Sequence, residues 1–259
     1  MVSLRLIHGA CAVLTALIAA GCLFSPGNPV APTEVAGTTP SPAPAPGPPP
    51  PPPSTHNGPT DFLAYWPMNG NAADTTGRWN GTMVGVTTAA DRNGSPNSAL
   101  SFDGISSFID VGQLHPPVSA FSVALWMRPS VAVTTTGFNR ENEIIGDAGG
   151  NRGFRLMQLG SALYFQAQGG GETTFFEVTQ SDVGRWMHVA AVYDARQVVL
   201  YRNGQLVASR PAGVMTVGFQ PLQIGRDPNV ATSYWQGLLD EVRLYGRALS
   251  AGEIATLSR

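Results

Sequence analysis

Arg185-Trp186-Met187-His188-Val189-Ala190-Ala191-Val192-Tyr193-Asp194, followed by Val198-Val199-Leu200-Tyr201-Arg202-Asn203-Gly204-Gln205-Leu206-Val207-Ala208, holds three short apolar runs. Only Asn203-Gly204 separates the last two. A two-residue hairpin turn of the I′ type needs positive φ at both central positions, which Asn and Gly tolerate best. Val, Leu and Tyr on either side suit a pleated, half-buried surface. The stretch therefore predicts a strand, a turn near Ala195-Arg196, a strand, a tight turn and a third strand, with a central strand over Trp186 to Tyr193.

The rest of the chain reads outward from this meander. Leu63 to Met68 predicts an edge strand, where Pro67 is tolerated. Ala99 to Gly104 predicts a strand entering a turn, and Phe108 to Val111 its return. Phe121 to Pro129 alternates, with Phe121, Val123, Leu125 and Met127 on one face. Gly137 to Arg152 reads as a polar loop. Phe154 to Leu159 and Leu163 to Ala167 form a hairpin about Gly160-Ser161, and Phe175 to Val178, Leu222 to Gly225 and Gly237 to Tyr245 add strands. Ser250-Ala251-Gly252-Glu253 has the form of a helix capping box, with Leu249 and Ile254 placed as a hydrophobic staple. Many short strands with one helical turn at the end predict an all-β sandwich or barrel.

Before Asp61 the sequence is of another kind. Arg5 precedes a short apolar run from Ala10 to Ala20, too short to span a bilayer. The run ends in Ile18-Ala19-Ala20-Gly21-Cys22, which resembles a bacterial lipobox, with Ala19 where Leu is usual. The expectation is a signal peptide over 1–21, lipidation at Cys22 and a membrane anchor of several acyl chains. An ordinary secretory signal is the alternative. Leu23 is not the Asp associated with inner-membrane retention, so the outer membrane or cell surface is the expected address. Residues 22–60 include an unbroken proline run from Pro48 to Pro53 and predict a polyproline-rich tether. Fully extended, it reaches on the order of 100 Å. The folded domain is then 61–259.

Composition narrows the chemistry. The chain has 259 residues, a net charge of -2 and no lysine among its basic residues. That excludes phosphate-cradling P-loops and lysine Schiff bases, and it disfavours nucleic-acid binding. The two cysteines, Cys11 and Cys22, precede the domain, so burial alone must hold it.

Several segments together resemble laminin-G-like domains, which share the concanavalin A-like jelly roll. They are Gly184 to Ala190 with Leu200 to Gly204, Tyr65 to Gly70 with Asp74 and Gly77, Asp91 to Gly94 with Ala99 to Gly104, Phe121 to Pro129, and Leu239 to Ser250 with Glu253 and Ile254. The resemblance implies two antiparallel sheets packed face to face, and a role in recognising glycans or envelope and surface proteins. It also implies a structural calcium, for which Asp74, Asp103 and Asp240 lie in the matching blocks. Their plainer reading is turn chemistry for Asp74 and Asp103, and a satisfied core carboxylate for Asp240.

The same fold hosts glycoside hydrolases, the enzymatic alternative. Those need two facing carboxylates. Asp240 and Glu241 are adjacent, and adjacent strand residues point to opposite faces, so no enzyme is expected. His188 lies in an apolar strand and reads as a buried structural histidine. For ligand binding, exposed aromatics beside polar groups are the signal sought. Trp79, in a turn-rich loop, is the aromatic least explained by packing, and Phe138, Asn139, Arg140 and Glu141 belong to a second candidate, the polar loop running to Glu143. Trp66, Trp126, Trp186 and Trp235 are expected in the core.

Overall fold

A computed structural model describes residues 58–131, 141–167, 173–230 and 232–259. The signal segment, Cys22, most of the proline-rich segment, Phe138, Asn139 and Arg140 lie outside the described residues.

Strands β1 to β15, numbered in chain order, form two antiparallel sheets. The first sheet runs β13 (Gln205–Pro211), β12 (Gln197–Arg202), β11 (Met187–Tyr193), β6 (Phe121–Pro129), β15 (Gln236–Tyr245), β4 (Ala99–Asp103) and β3 (Thr87–Ala89), with β1 (Ala64–Trp66) also on β15. The second runs β10 (Thr173–Glu177), β9 (Ala162–Ala167), β8 (Phe154–Leu159), β7 (Glu141–Gly146), β14 (Leu222–Ile224), β5 (Phe108–Gly112) and β2 (Thr82–Val84). The architecture is a two-sheet jelly-roll sandwich.

The quoted meander is β11, β12 and β13, and its tip has the expected backbone: φ is 50° at Asn203 and 78° at Gly204. Asn203 also accepts the His188 N–H through Oδ1 at 2.9 Å, tying the tip to β11. At the other turn Ala195 has φ 64°, and Asp194 Oδ1 accepts the N–H groups of Arg196 and Gln197.

Alternation then sorts the side chains. Phe121, Val123, Leu125 and Met127 face inward, as do Met187, Val189, Ala191 and Tyr193 opposite them. Leu163, Phe165, Ala167, Leu222 and Ile224 meet them from the second sheet. Phe121 is the hub, with ring centroids 4.9 Å from Phe154, 5.6 Å from Tyr193 and 5.9 Å from Phe165. Each such side chain contributes roughly 1.5–3 kcal/mol by burial, which is how a domain without a disulfide is held. Trp66 and Trp235 belong to this core, as expected.

On the outside of the first sheet lies α1 (Ala251–Leu257). Ser250 and Glu253 form the capping box, and Leu249, Ile254 and Leu257 pack on Ala190, Val192, Tyr201 and Tyr245. Arg247 bridges Asp61 and Glu253, and Tyr245 Oη donates to the Pro59 carbonyl at 3.0 Å.

Three local expectations are corrected. Phe108 to Val111 does not return beside β4 but crosses to the second sheet. The Asp103 carboxylate fixes the crossing turn by accepting the N–H groups of Ile105, Ser106 and Ser107. The second correction concerns the segment read as a polar loop over 137–152, which contains β7; Ile144 and Ile145 both enter the core through a bulge between Glu143 and Ile145. Glu143 hid the strand: it lies opposite Met157 in register and serves the sheet's outer face. The third is that Trp126 and Trp186 are half-buried rather than core. Trp126 lies between inward Leu125 and Met127, so it faces outward.

Candidate functional site

Polar side chains gather on the outer faces of both sheets. On the first, the register aligns His188, Trp126 and Asp240 across β11, β6 and β15. Leu239 and Val242, three residues apart, both point into the core. The two residues between them form a bulge, with Glu241 at φ 51°. This overturns the expectation that Asp240 and Glu241 face apart: the extra residue cancels the alternation. Arg92 Nη1 meets Asp240 Oδ2 at 3.2 Å and Glu241 Oε1 at 3.9 Å, while Arg243 Nη2 meets Glu241 Oε2 at 2.7 Å.

Asp240 and Glu241 are buried, Arg92 lies over Trp126 at 4.6 Å, and Arg243 lies over Tyr65 at 4.4 Å. Burial, then the neighbouring Glu241 charge, pushes the Asp240 carboxyl up to about 8, and Arg92 offsets part of this. His188 is buried, as the sequence suggested, and burial, with Arg243 and Arg92 adding to it, pushes its ring down to about 3, so it is neutral.

Folded Asp240 holds its proton to higher pH than the unfolded chain does. Its contribution is fully present below about pH 4 and is lost as pH rises through about 8. Asp240→Asn should therefore flatten the decline in urea-unfolding stability between pH 5 and 8.5. Parallel wild-type and variant profiles would contradict this.

The second sheet presents a different surface. Leu163, Phe165 and Ala167 enter the core, so Tyr164 and Gln166 face out. By the same rule Phe175 faces out opposite inward Phe176, Arg155 and Met157 flank inward Leu156, and Gln223 lies between inward Leu222 and Ile224. Registers place Gln166, Arg155, Gly146, Gln223 and Asp110 in one row across five strands. Tyr164, Met157 and Glu143 form the next row. Each row step is one strand spacing, so Gln166 to Asp110 spans about 19 Å.

Aromatic rings bracket this polar middle. At one edge Tyr164 and Phe175 lie 5.2 Å apart, with Phe175 45% exposed. At the other, Arg226 stacks 4.4 Å over Phe108 and 5.9 Å from Tyr234. Between them Asp227 is fully buried; its Oδ1 accepts from Asn229 and Val230, and its Oδ2 lies 3.9 Å from Arg155 Nη1. Gly146 leaves room where the row is tightest, since a Cβ there would run into Phe154 O at 2.6 Å and into the Glu143 carboxylate. Helix α1 lies on the other sheet, and the middle of this face is closed to solvent: Glu143, Gly146, Met157 and Gln223 are buried, whereas Tyr164, Gln166, Arg155 and Asp110 are half-buried. Such a surface offers apolar rings for stacking beside groups that donate and accept hydrogen bonds.

Of the residues expected to bind ligand or metal, Phe138, Asn139 and Arg140 lie outside the described residues. Trp79 is half-buried against the core, and its carbonyl accepts Trp66 Nε1 at 2.7 Å. Packing therefore does account for it, contrary to the reading that singled it out. Glu141 opens β7 rather than lying in a loop. Asp74 accepts the N–H groups of Tyr65, Thr76, Arg78 and Trp79, which is turn chemistry, and Asp103 caps the crossing described above. The structure does not bring Asp74, Asp103 and Asp240 together. Among the described residues, no group of three or more His, Cys, Asp or Glu is placed to hold a metal ion.

Residues 103–255 match the family model of the laminin-G-like group in the concanavalin A-like lectin/glucanases superfamily. The chain belongs to this family. No match was found among curated protein sequences. Solved structures share the laminin-G-like fold at low identity. Domain 4 of AbnA, a GH43 extracellular arabinanase from Geobacillus stearothermophilus solved with arabinotriose, is 22% identical, with a TM-score of 0.57 over 79% of this chain and 100% of that one. The binding domain of Paraclostridial Mosquitocidal Protein 1 is 16% identical, with a TM-score of 0.60 over 76% of this chain and 51% of that one. The botulinum neurotoxin type G receptor binding domain is 17% identical, with a TM-score of 0.59 over 77% and 51%. This laminin-G-like chain thus spans about half of each toxin domain but the whole of the arabinanase domain.

Proposed function

We propose that this laminin-G-like chain is a non-catalytic, membrane-anchored glycan-binding module whose recognition surface is the outer face of the second sheet. The observation that carries the reading is the row from Gln166 to Asp110, bracketed by Tyr164 and Phe175 on one side and by Phe108, Arg226 and Tyr234 on the other. The full-length likeness to an arabinanase domain solved with arabinotriose supports it. The absence of catalysis is argued from the Asp240–Glu241 pair, the two carboxylates set side by side on one strand, which lie buried beneath Arg92.

Affinity electrophoresis of the full chain against linear arabinan, xylan and glucomannan tests the reading. Retardation by at least one polymer is expected, and Tyr164→Ala should weaken it roughly thirtyfold, as loss of an aromatic anchor does. Trp79→Ala should lower stability and leave affinity unchanged. Loss of binding in Trp79→Ala with none in Tyr164→Ala would move the site back to the loop. If no glycan binds and an envelope protein is captured instead, the protein-recognition alternative replaces this one.

The anchor has its own test. The segment ending in Ala20-Gly21-Cys22 supports lipidation at Cys22, with Pro48 to Pro53 in the spacer that follows. Labelled palmitate should enter the wild type and not Cys22→Ser; equal labelling of both would refute the anchor.

A further inference from the structure

We propose that Asn93-Gly94 is a site of spontaneous covalent modification, where the asparagine amide is converted to aspartate and iso-aspartate, and that the change loosens the Arg92 cover over Asp240 and Glu241. Among the described residues, Asn69-Gly70, Asn80-Gly81, Asn93-Gly94 and Asn203-Gly204 share the dipeptide. A following glycine leaves the backbone nitrogen unhindered and the dihedrals free, so the dipeptide alone does not rank the four.

Their surroundings do. Asn80 Oδ1 accepts the Asp74 N–H at 2.9 Å, and the Gly81 N–H donates to the Ala72 carbonyl at 2.8 Å. Gly81 is packed so closely that a Cβ there would lie 2.2 Å from Ile109 Cγ2. Asn203 Oδ1 accepts the His188 N–H at 2.9 Å, with Gly204 wedged against α1. Asn69 is half-buried, and the Gly70 N–H donates to the Met68 carbonyl at 2.8 Å. Asn93 differs on each count. It is exposed, and a Cβ on Gly94 would meet nothing within 4 Å. Asn93 is tied through its backbone N–H, which donates to Asp91 Oδ1 at 2.8 Å, so its amide is left to turn. The Gly94 N–H donates to the Asp91 carbonyl at 3.2 Å, the long end of the usual range.

The reaction needs only water. The Gly94 nitrogen gives its proton to hydroxide and attacks Asn93 Cγ. The N–Cγ bond forms, the Cγ–Nδ2 bond breaks, and the amide nitrogen leaves as ammonia after taking a proton from water. Water then opens the cyclic imide at either carbonyl carbon. One opening gives aspartate. The other gives iso-aspartate, whose backbone runs through the side chain and is longer by a carbon.

That lengthening falls inside a tight loop. The Asp91 N–H donates to the Ser95 carbonyl at 3.1 Å, and Asp91 Oδ1 accepts the N–H groups of Asn93 and Ser95. The loop carries Arg92, which meets Asp240 at 3.2 Å and lies over Trp126. A longer backbone breaks the loop's closure. Either product also sets a carboxylate next to Arg92, where it competes with Asp240 for the guanidinium.

The test ages the full chain at mildly alkaline pH for days, then unfolds it and cleaves it after arginine. Cleavage after Arg78, Arg92 and Arg202 puts Asn69, Asn80, Asn93 and Asn203 in separate peptides, and mass spectrometry times each conversion. The Asn93 peptide should convert about tenfold faster than those of Asn80 and Asn203, the rate factor for giving up one good hydrogen bond. Ageing in urea should bring the rates together. The aged wild type should unfold at lower urea concentration than the fresh chain, and aged Asn93→Gln should not. Equal rates in the folded chain, or earlier conversion at Asn80 or Asn203, would overturn the site. Conversion at Asn93 with an unchanged urea midpoint would overturn the loosening of Arg92.

Discussion

Arg243→Ala is expected to lose about 3–5 kcal/mol of folding stability, the cost of stripping one partner from a buried ion pair. Arg243 is 2% exposed, pairs with Glu241 at 2.7 Å and stacks on Tyr65. The bulge sets Asp240 and Glu241 side by side, and Arg92, the other cation of the cluster, is partly exposed to solvent. Without Arg243 the Glu241 carboxylate is left buried beside a second carboxyl group. For a domain of this size the loss corresponds to a fall in Tm on the order of 10 °C. Urea unfolding at pH 7 measures it. Adding Glu241→Gln to Arg243→Ala should recover part of the loss, because the stranded charge is then gone. A cost below about 1 kcal/mol would mean that water reaches the cluster.

Gly204→Val should cost about 3 kcal/mol or more, from two separable causes. Gly204 has φ 78°, which a β-branched residue resists. A Cβ at Gly204 would also sit 2.5 Å from Ser258 Oγ and 3.2 Å from Ala255 Cα, so the hairpin tip is wedged against α1. Gly204→Asn separates the causes, since Asn tolerates the dihedral but still carries a Cβ. If Asn is nearly as damaging as Val, contact with the helix dominates; if Asn is tolerated, the turn does. An unchanged melting temperature in Gly204→Val would contradict both the turn and the docking.

Fold was legible wherever local chemistry and global packing agree. Asn203-Gly204, the alternation of Phe121 to Met127 and the Ser250–Glu253 cap each have one structural solution, and each is realised. Strand β7 was not legible, because Glu141-Asn142-Glu143 carries the polarity of a loop while lying in the middle of a sheet whose outer face is itself polar. The pairing of Asp240 with Glu241 was hidden for a related reason. Alternation is a rule about regular strands, and one extra residue at φ 51° suspends it.

The candidate site was hardest to see. Its members come from β5, β7, β8, β9, β10, β14 and the residues after β14, so nothing in sequence order brings them together. A partial signal was present. Leu163-Tyr164-Phe165-Gln166-Ala167 alternates, and of the adjacent pair Phe175-Phe176 only one ring can point inward. Trp79 drew attention instead because a loop tryptophan suggests exposure, whereas this one packs against the core and its carbonyl accepts Trp66 Nε1.

The most direct test of the central claim is a chemical-shift map of the isotopically labelled chain titrated with a neutral oligosaccharide from the polymer that binds best. The account predicts perturbations at Tyr164, Gln166, Phe175, Arg155, Phe108 and Arg226, with Trp126, His188 and the α1 residues unmoved. Shifts confined to the Trp79 loop or to the outer face of the first sheet, with Tyr164 and Phe175 silent, would contradict it.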